Sequence, residues 1–270
     1  MPLLQINAGP DGPVWHQPDP QGVAPSPFPV TPDSLSEQLR VPGRGPAVVM
    51  LHGFKFRPGD RVACPHRHIL SDAPDRRCWK ALSWPRALRL AGPDATPEAG
   101  IGVAFGWDAR GSIWAAHRRT EPAGHALARL IGWIARAAPG RPVHALAHSL
   151  GARVVLSALP HLPAAALDRI ILLSPAEYRN PALTALQSPA GRAAEVISVT
   201  SRQNDLFDFL LERAIRPPVR GDRVMSTGLE DARNALTLQM DDPATLAALA
   251  GAGFPIAPPA GRVCHWSSYL

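Results

Sequence analysis

The pentad Ala147-His148-Ser149-Leu150-Gly151 carries the strongest chemical signal in the chain. It follows the run Val143 to Leu146 and opens a stretch that reads as helix. A serine there sits on a sharp strand-to-helix turn, with its hydroxyl exposed above the sheet. Such a turn brings helix and strand together, so small residues are needed two places to either side. Gly151 meets that need, and Ala147 is one methyl larger than glycine. The competing reading is a Ser-Leu-Gly that only caps a helix. Cys64, His66, His68 and Cys78 also have ligand-type side chains. Zinc fingers pair ligands as C-x2-4-C and H-x3-5-H, and the spacing here fits neither half, so no metal is expected. The three cysteines are too few, and odd in number, for a disulfide framework.

The elements that would position these groups follow from periodicity. Ala47 to Leu51 is an apolar run that reads as a buried strand stopping at His52-Gly53. Ile101 to Trp107, Val143 to His148, Arg169 to Leu173, Val196 to Thr200 and Ala235 to Met240 read as further strands, and Trp79 to Trp84 as a short one. Leu127, Leu130, Ile131 and Ile134 have helical spacing, with Pro122 near the helix start and Pro139-Gly140 at its end. Leu150 to Leu159 and Leu206 to Ala214 read as helices. Strands alternating with helices predict an α/β protein, its mostly parallel central sheet covered by helices on both faces. Ligands then bind beyond the carboxyl ends of the strands. Residues 1–45 are crowded with proline, from Pro10 and Pro13 to Pro29 and Pro32. They read as an arm with one helical turn within Val30 to Arg40, leaving 46–270 as the domain. The loop from Phe56 to Trp84 is the expected lid or pocket wall.

With this context the pentad resembles the H-S-L-G elbow of α/β-hydrolase lipases and esterases, and the element order of 45–270 resembles the same superfamily. The resemblance implies the chain order nucleophile, acid, histidine. Of ten histidines only His161 and His265 follow Ser149. His161 falls before the last strands, which leaves His265 as the base. The acid should follow a late strand: Asp205 is the first choice, with Asp208 and Glu177 as alternatives, and an N-cap role competes for Asp205. His52-Gly53-Phe54-Lys55 resembles the family's H-G motif. It implies an oxyanion hole made by the N–H groups of Phe54 and Leu150. The implied reaction is hydrolysis of an acyl bond, a carboxylic ester first, through an acyl-enzyme and without a cofactor. Alternatives are an amidase, thioesterase or polyester depolymerase on the same fold, or a binding protein without catalysis. Trp107, Phe207 and Phe209 are candidates to line an acyl pocket.

Bulk properties exclude other classes. The 270 residues carry 28 basic and 22 acidic side chains, a net charge of +6. The arginines are scattered and Lys55 and Lys80 are the only lysines, so no nucleic-acid surface is expected. The partner is instead a small-molecule or lipid-like ester. No apolar run approaches the ~20 residues of a membrane-spanning helix. Met1 to Gly12 lacks a basic region and a long apolar stretch, so a cytoplasmic protein is expected.

Overall fold

The computed structural model describes residues 3–17, 28–40, 43–74, 82–259 and 261–266. Among them nine strands form one sheet in the order β3-β2-β1-β5-β4-β6-β7-β8-β9. These strands are β1 (Leu3–Gly9), β2 (Gly12–Trp15), β3 (Phe28–Pro29), β4 (Ala47–Leu51), β5 (Ile101–Gly106), β6 (Val143–His148), β7 (Arg169–Leu173), β8 (Glu195–Thr200) and β9 (Ala235–Gln239). From β1 across to β9 in the sheet every neighbouring pair is parallel, and the β1–β2 and β2–β3 pairs are antiparallel, so β2 alone runs against the rest.

The central strands are continuous apolar runs because both faces are covered. Along β4, Val49 and Leu51 pack with α3 (Ile113–Ala137) and α4 (Leu150–Ala158), while Val48 and Met50 face Ile69, Leu70, Trp84 and Leu90. That alternation is the two-residue period of a strand. The remaining helices are α1 (Pro32–Leu39), α2 (Trp84–Ala87), α5 (Arg179–Leu186), α6 (Pro189–Ala193), α7 (Asp205–Ala214) and α8 (Pro243–Gly251).

Three sequence expectations need correction. The first residues of the proline-rich region belong to the sheet: β1 pairs in parallel with β5 and buries Leu4 and Ile6. An alternating apolar pattern outweighs nearby prolines when those fall at the turn and in the short strand β2, which lies next to the edge strand β3. Secondly, α3 begins nine residues before Pro122, at the Ser112 cap whose hydroxyl accepts from Ala115 N–H. Proline removes one helical N–H and crowds the preceding turn. Buried residues on both sides, Ala116 and Thr120 before it and Leu127, Leu130, Ile131 and Ile134 after it, carry the helix through. Thirdly, Trp84 opens α2 rather than closing a strand, and residues 75–81 lie outside the described residues. α1 is a two-turn helix held by a capping box between Thr31 and Ser34.

Candidate active site

Parallel register sets the carboxyl ends of the central strands side by side. Leu51 pairs with Ala147 and His148 with Leu173, so the turns after β4 and β6 are neighbours. The chain leaving β6 must reverse into α4 at once, and Ser149 takes φ 54° and ψ −124° to do so. Left-handed backbone at a non-glycine residue costs ~1–3 kcal/mol and persists only where the surroundings enforce it. Here Ser149 N–H donates to Leu173 O at 3.0 Å, and Ser149 O accepts from Ala152 and Ala176 at 3.0 and 3.1 Å. A Cβ on Gly151 would lie 2.6 Å from His52 O, so only glycine fits there. Ala147 is completely buried and its methyl is accommodated.

The turn after β4 is locked by His52. Its Nδ1–H donates to Gly53 O at 2.9 Å, Nε2 accepts from Trp107 N–H at 3.1 Å, and His52 O accepts from the Trp107 indole at 3.0 Å. This ring must stay neutral to accept, and burial depresses its pKa to about 4. Gly53 passes directly beneath the serine: a Cβ there would meet Ser149 Cβ at 2.7 Å. Phe54 and Leu150 both line the space above Ser149, and the N–H of neither donates to another group among the described residues. Leu150 N–H also stands at the positive end of the α4 dipole.

His265 arrives from far along the chain. Its Nε2 lies 2.9 Å from Ser149 Oγ and its Nδ1 lies 2.5 Å from Asn204 Oδ1. The irregular segment 261–266 is pinned at several points. Cys264 N–H donates to Gln203 O at 3.0 Å, the Gln203 amide donates to Gly261 O, and His148 Nε2–H donates to His265 O at 3.1 Å. The His148 ring also stacks on Trp266, and Phe207 lies 4.7 Å from the His265 ring. His148 is fully buried, and burial holds its pKa well below the usual histidine value.

The residue against His265 Nδ1 is Asn204, not Asp205. Asp205 begins α7 with its side chain exposed to solvent, while Asn204 is buried on the preceding 3-10 turn. The chain order nucleophile, acid, histidine points only to carboxylates, so an asparagine one place before Asp205 carries no signal in the sequence. Asp208 lies one layer further in. Its Oδ1 accepts from Asn204 Nδ2 at 2.9 Å and its Oδ2 from Ser226 Oγ–H at 2.6 Å. Burial pushes the Asp208 carboxyl up to about 6, against the pull of these two hydrogen bonds. Glu177 is turned elsewhere: it pairs with Arg153 and accepts from Tyr178 N–H at 2.7 Å.

A cavity of about 610 Å³ opens above Ser149. Phe54, Ile113, Leu150, Phe207, Leu211 and Trp266 make most of its wall apolar, and Lys55 also lines it. No described residue of 56–84 lines it; α7 supplies the wall instead. Trp107 is core, bonded to His52, and Phe209 is exposed beneath the Arg213 guanidinium. The Cys64 and His66 side chains sit apart from this cavity. Cys64 is a free, buried thiol, His66 Nε2–H donates to Asn7 Oδ1 at 2.7 Å, and Cys78 lies outside the described residues. No described helix is long and apolar enough to cross a membrane.

The arrangement is a hydroxyl on a strained turn, an imidazole that can accept its proton, and two uncommitted N–H donors. Together these are the parts of nucleophilic acyl transfer. Residues 33–177, more than half of the chain, match a protein family described as "Alpha/beta hydrolase of unknown function (DUF900)". No curated protein matches the chain.

Proposed function

The chain belongs to this alpha/beta-hydrolase family, and from that premise we propose that it is a serine hydrolase of carboxylic esters with an apolar acyl group. One observation carries the reading: Ser149 Oγ, on its left-handed turn, lies 2.9 Å from His265 Nε2 at the base of the apolar cavity. Ser149 Oγ attacks the ester carbonyl as His265 Nε2 takes its proton. The carbonyl oxygen becomes an oxyanion held by Phe54 N–H and Leu150 N–H. The C–O bond breaks, and the alcohol leaves with the proton from Nε2. Water then repeats the sequence on the acyl-Ser149 ester and releases the acid.

Asn204 holds the third position. Its Oδ1 accepts from His265 Nδ1–H, which orients the ring and leaves Nε2 as the acceptor. A neutral amide orients the imidazole without adding a charge of its own. The cavity wall favours a medium-length alkyl acyl group over acetyl, because apolar lining rewards each buried methylene by ~0.8 kcal/mol.

A fluorophosphonate probe tests the nucleophile. Wild-type protein should be labelled at Ser149, and Ser149→Ala should not be labelled at all. Absence of labelling in the folded wild-type protein would end the serine-hydrolase reading. A series of p-nitrophenyl esters then tests the acyl preference, with kcat/KM expected to rise from acetate to medium-chain esters.

A further inference from the structure

We propose that Asp208 is a positioning residue of this site: its carboxylate fixes which way the Asn204 amide faces, and so which nitrogen of His265 carries the proton. The inference deepens the hydrolase reading and rests on it for its catalytic consequence.

The two ends of a side-chain amide are nearly identical in shape and opposite in hydrogen-bonding character. Nothing in the outline of the Asn204 pocket therefore selects one orientation. Asp208 does. Ionised, it can only accept, and its Oδ1 lies 2.9 Å from Asn204 Nδ2. Turning the amide over would place Asn204 Oδ1 against that carboxylate, acceptor against acceptor, at a buried position. The observed orientation presents Asn204 Oδ1 to His265 Nδ1 at 2.5 Å, so Nδ1 must be the protonated nitrogen. Nε2 is then unprotonated and stands 2.9 Å from Ser149 Oγ. The reversed amide would offer N–H to Nδ1, favour the Nε2–H tautomer, and remove the acceptor that Ser149 requires.

The placement of Asp208 in α7 supports a positioning role. Leu206, Phe207, Phe209 and Leu210 on the same helix are exposed, while the carboxylate of Asp208 is turned inward. Asp208 thus shares with Leu211 the inward places of the helix, which apolar side chains usually take. No cation among the described residues pairs with Asp208. Asp205 and Glu212 on its own helix repel its charge, and Arg223 is engaged by Glu212. Its partners are the Ser226 hydroxyl and the Asn204 amide. A buried carboxylate that gains no ion pair and faces an amide is well placed to orient that amide.

The experiment is ¹⁵N NMR of the ring nitrogens of His265, assigned with a His265→Gln control, alongside the rate of fluorophosphonate labelling. The wild-type protein should show the Nδ1–H tautomer. In Asp208→Ala that tautomer should give way to Nε2–H, and labelling should slow about 100-fold, within the range that general-base catalysis supplies. Asn204→Asp in the same background presents an acceptor to Nδ1 in either orientation, so Asn204→Asp/Asp208→Ala should recover the Nδ1–H tautomer and most of the rate. A merely structural Asp208 would lower the melting temperature, leave the tautomer unchanged, and gain nothing from Asn204→Asp. Either of the last two results overturns the proposal. If Asp208→Ala does not fold, Asp208→Ser, which keeps a small polar side chain but no carboxylate, takes its place: loss of the Nδ1–H tautomer supports the proposal, and an unchanged tautomer overturns it. The tautomer is read without turnover, so failure of the hydrolase reading shows separately, as an unlabelled wild-type protein.

Discussion

Ser149 and the turn His52-Gly53-Phe54 stand on the ends of β6 and β4, adjacent parallel strands at the centre of the sheet. Asn204 and His265 stand on a 3-10 turn after β8 and on an irregular tail. The first pair is positioned by backbone: strand register, a left-handed serine, and close contacts that only glycine allows. The second pair is positioned by side chains, through the Gln203, Asn204, Asp208 and His148 hydrogen bonds. Register cannot slip without turning every strand side chain to the wrong face. A side-chain chain of hydrogen bonds can be cut one link at a time. The two halves should therefore fail differently under mutation.

The largest effect falls where the halves meet. Ser149→Ala and His265→Ala should each lower kcat for a p-nitrophenyl ester by ~10^6, because members of one catalytic unit are non-additive. The double variant should be no worse than either single one. Additive losses would mean that the two residues do not act together.

A smaller loss should mark the backbone half. Gly53→Ala places a methyl 2.7 Å from Ser149 Cβ and 3.0 Å from His148 O. Neither neighbour can retreat, since both belong to the β6 turn. Displacing the nucleophile and the Phe54 donor together should reduce kcat/KM by ~10^3, the scale of losing one oxyanion donor. Unchanged turnover in Gly53→Ala would remove this turn from the mechanism.

The contrast between the halves also explains what could be read from the sequence. Strand runs such as Ala47 to Leu51 and the pentad around Ser149 are local signals, set by residues within a few places of one another. The mostly parallel sheet follows from such signals, and so does the placing of Phe54 and Leu150 beside Ser149. The placing of Asn204 and Asp208 does not, because it rests on contacts with His265 and Ser226, 61 and 18 residues away. Asp205 looked right by position. It begins a helix whose first turn points it to solvent, one place beyond the residue that turns inward. The cavity wall has a similar origin: length alone points to the loop 56–84, whereas among the described residues α7 lines the cavity.

That correction sets the third prediction. Asn204→Ala removes the acceptor at His265 Nδ1 and should lower kcat by ~10^2, at the low end of general-base effects. Asp205→Asn, at an exposed position, should change kcat less than threefold. A large loss in Asp205→Asn together with a silent Asn204→Ala would return the third position to Asp205.

The smallest effect concerns pH, and its sign separates the halves. His52, in the backbone half, is held neutral by burial, its pKa depressed to about 4. Between that value and ~6.5 the unfolded chain binds the extra proton, so this histidine makes stability rise with pH. Asp208, in the side-chain half, has its pKa raised to about 6. Between ~3.9 and that value the folded chain binds the extra proton, so this carboxylate makes stability fall as pH rises. The two slopes oppose each other in the wild-type protein and partly cancel. Asp208→Ala removes one of them and leaves the other. Urea unfolding at pH 4.5 and 5.5 should then show the variant gaining on the wild type by on the order of 1 kcal/mol over that step, since a full proton difference is worth ~1.4 kcal/mol per pH unit. A variant that instead lost ground over the same step would mean that Asp208 is stabilised as the anion, with more favourable partners than Asn204 and Ser226 supply.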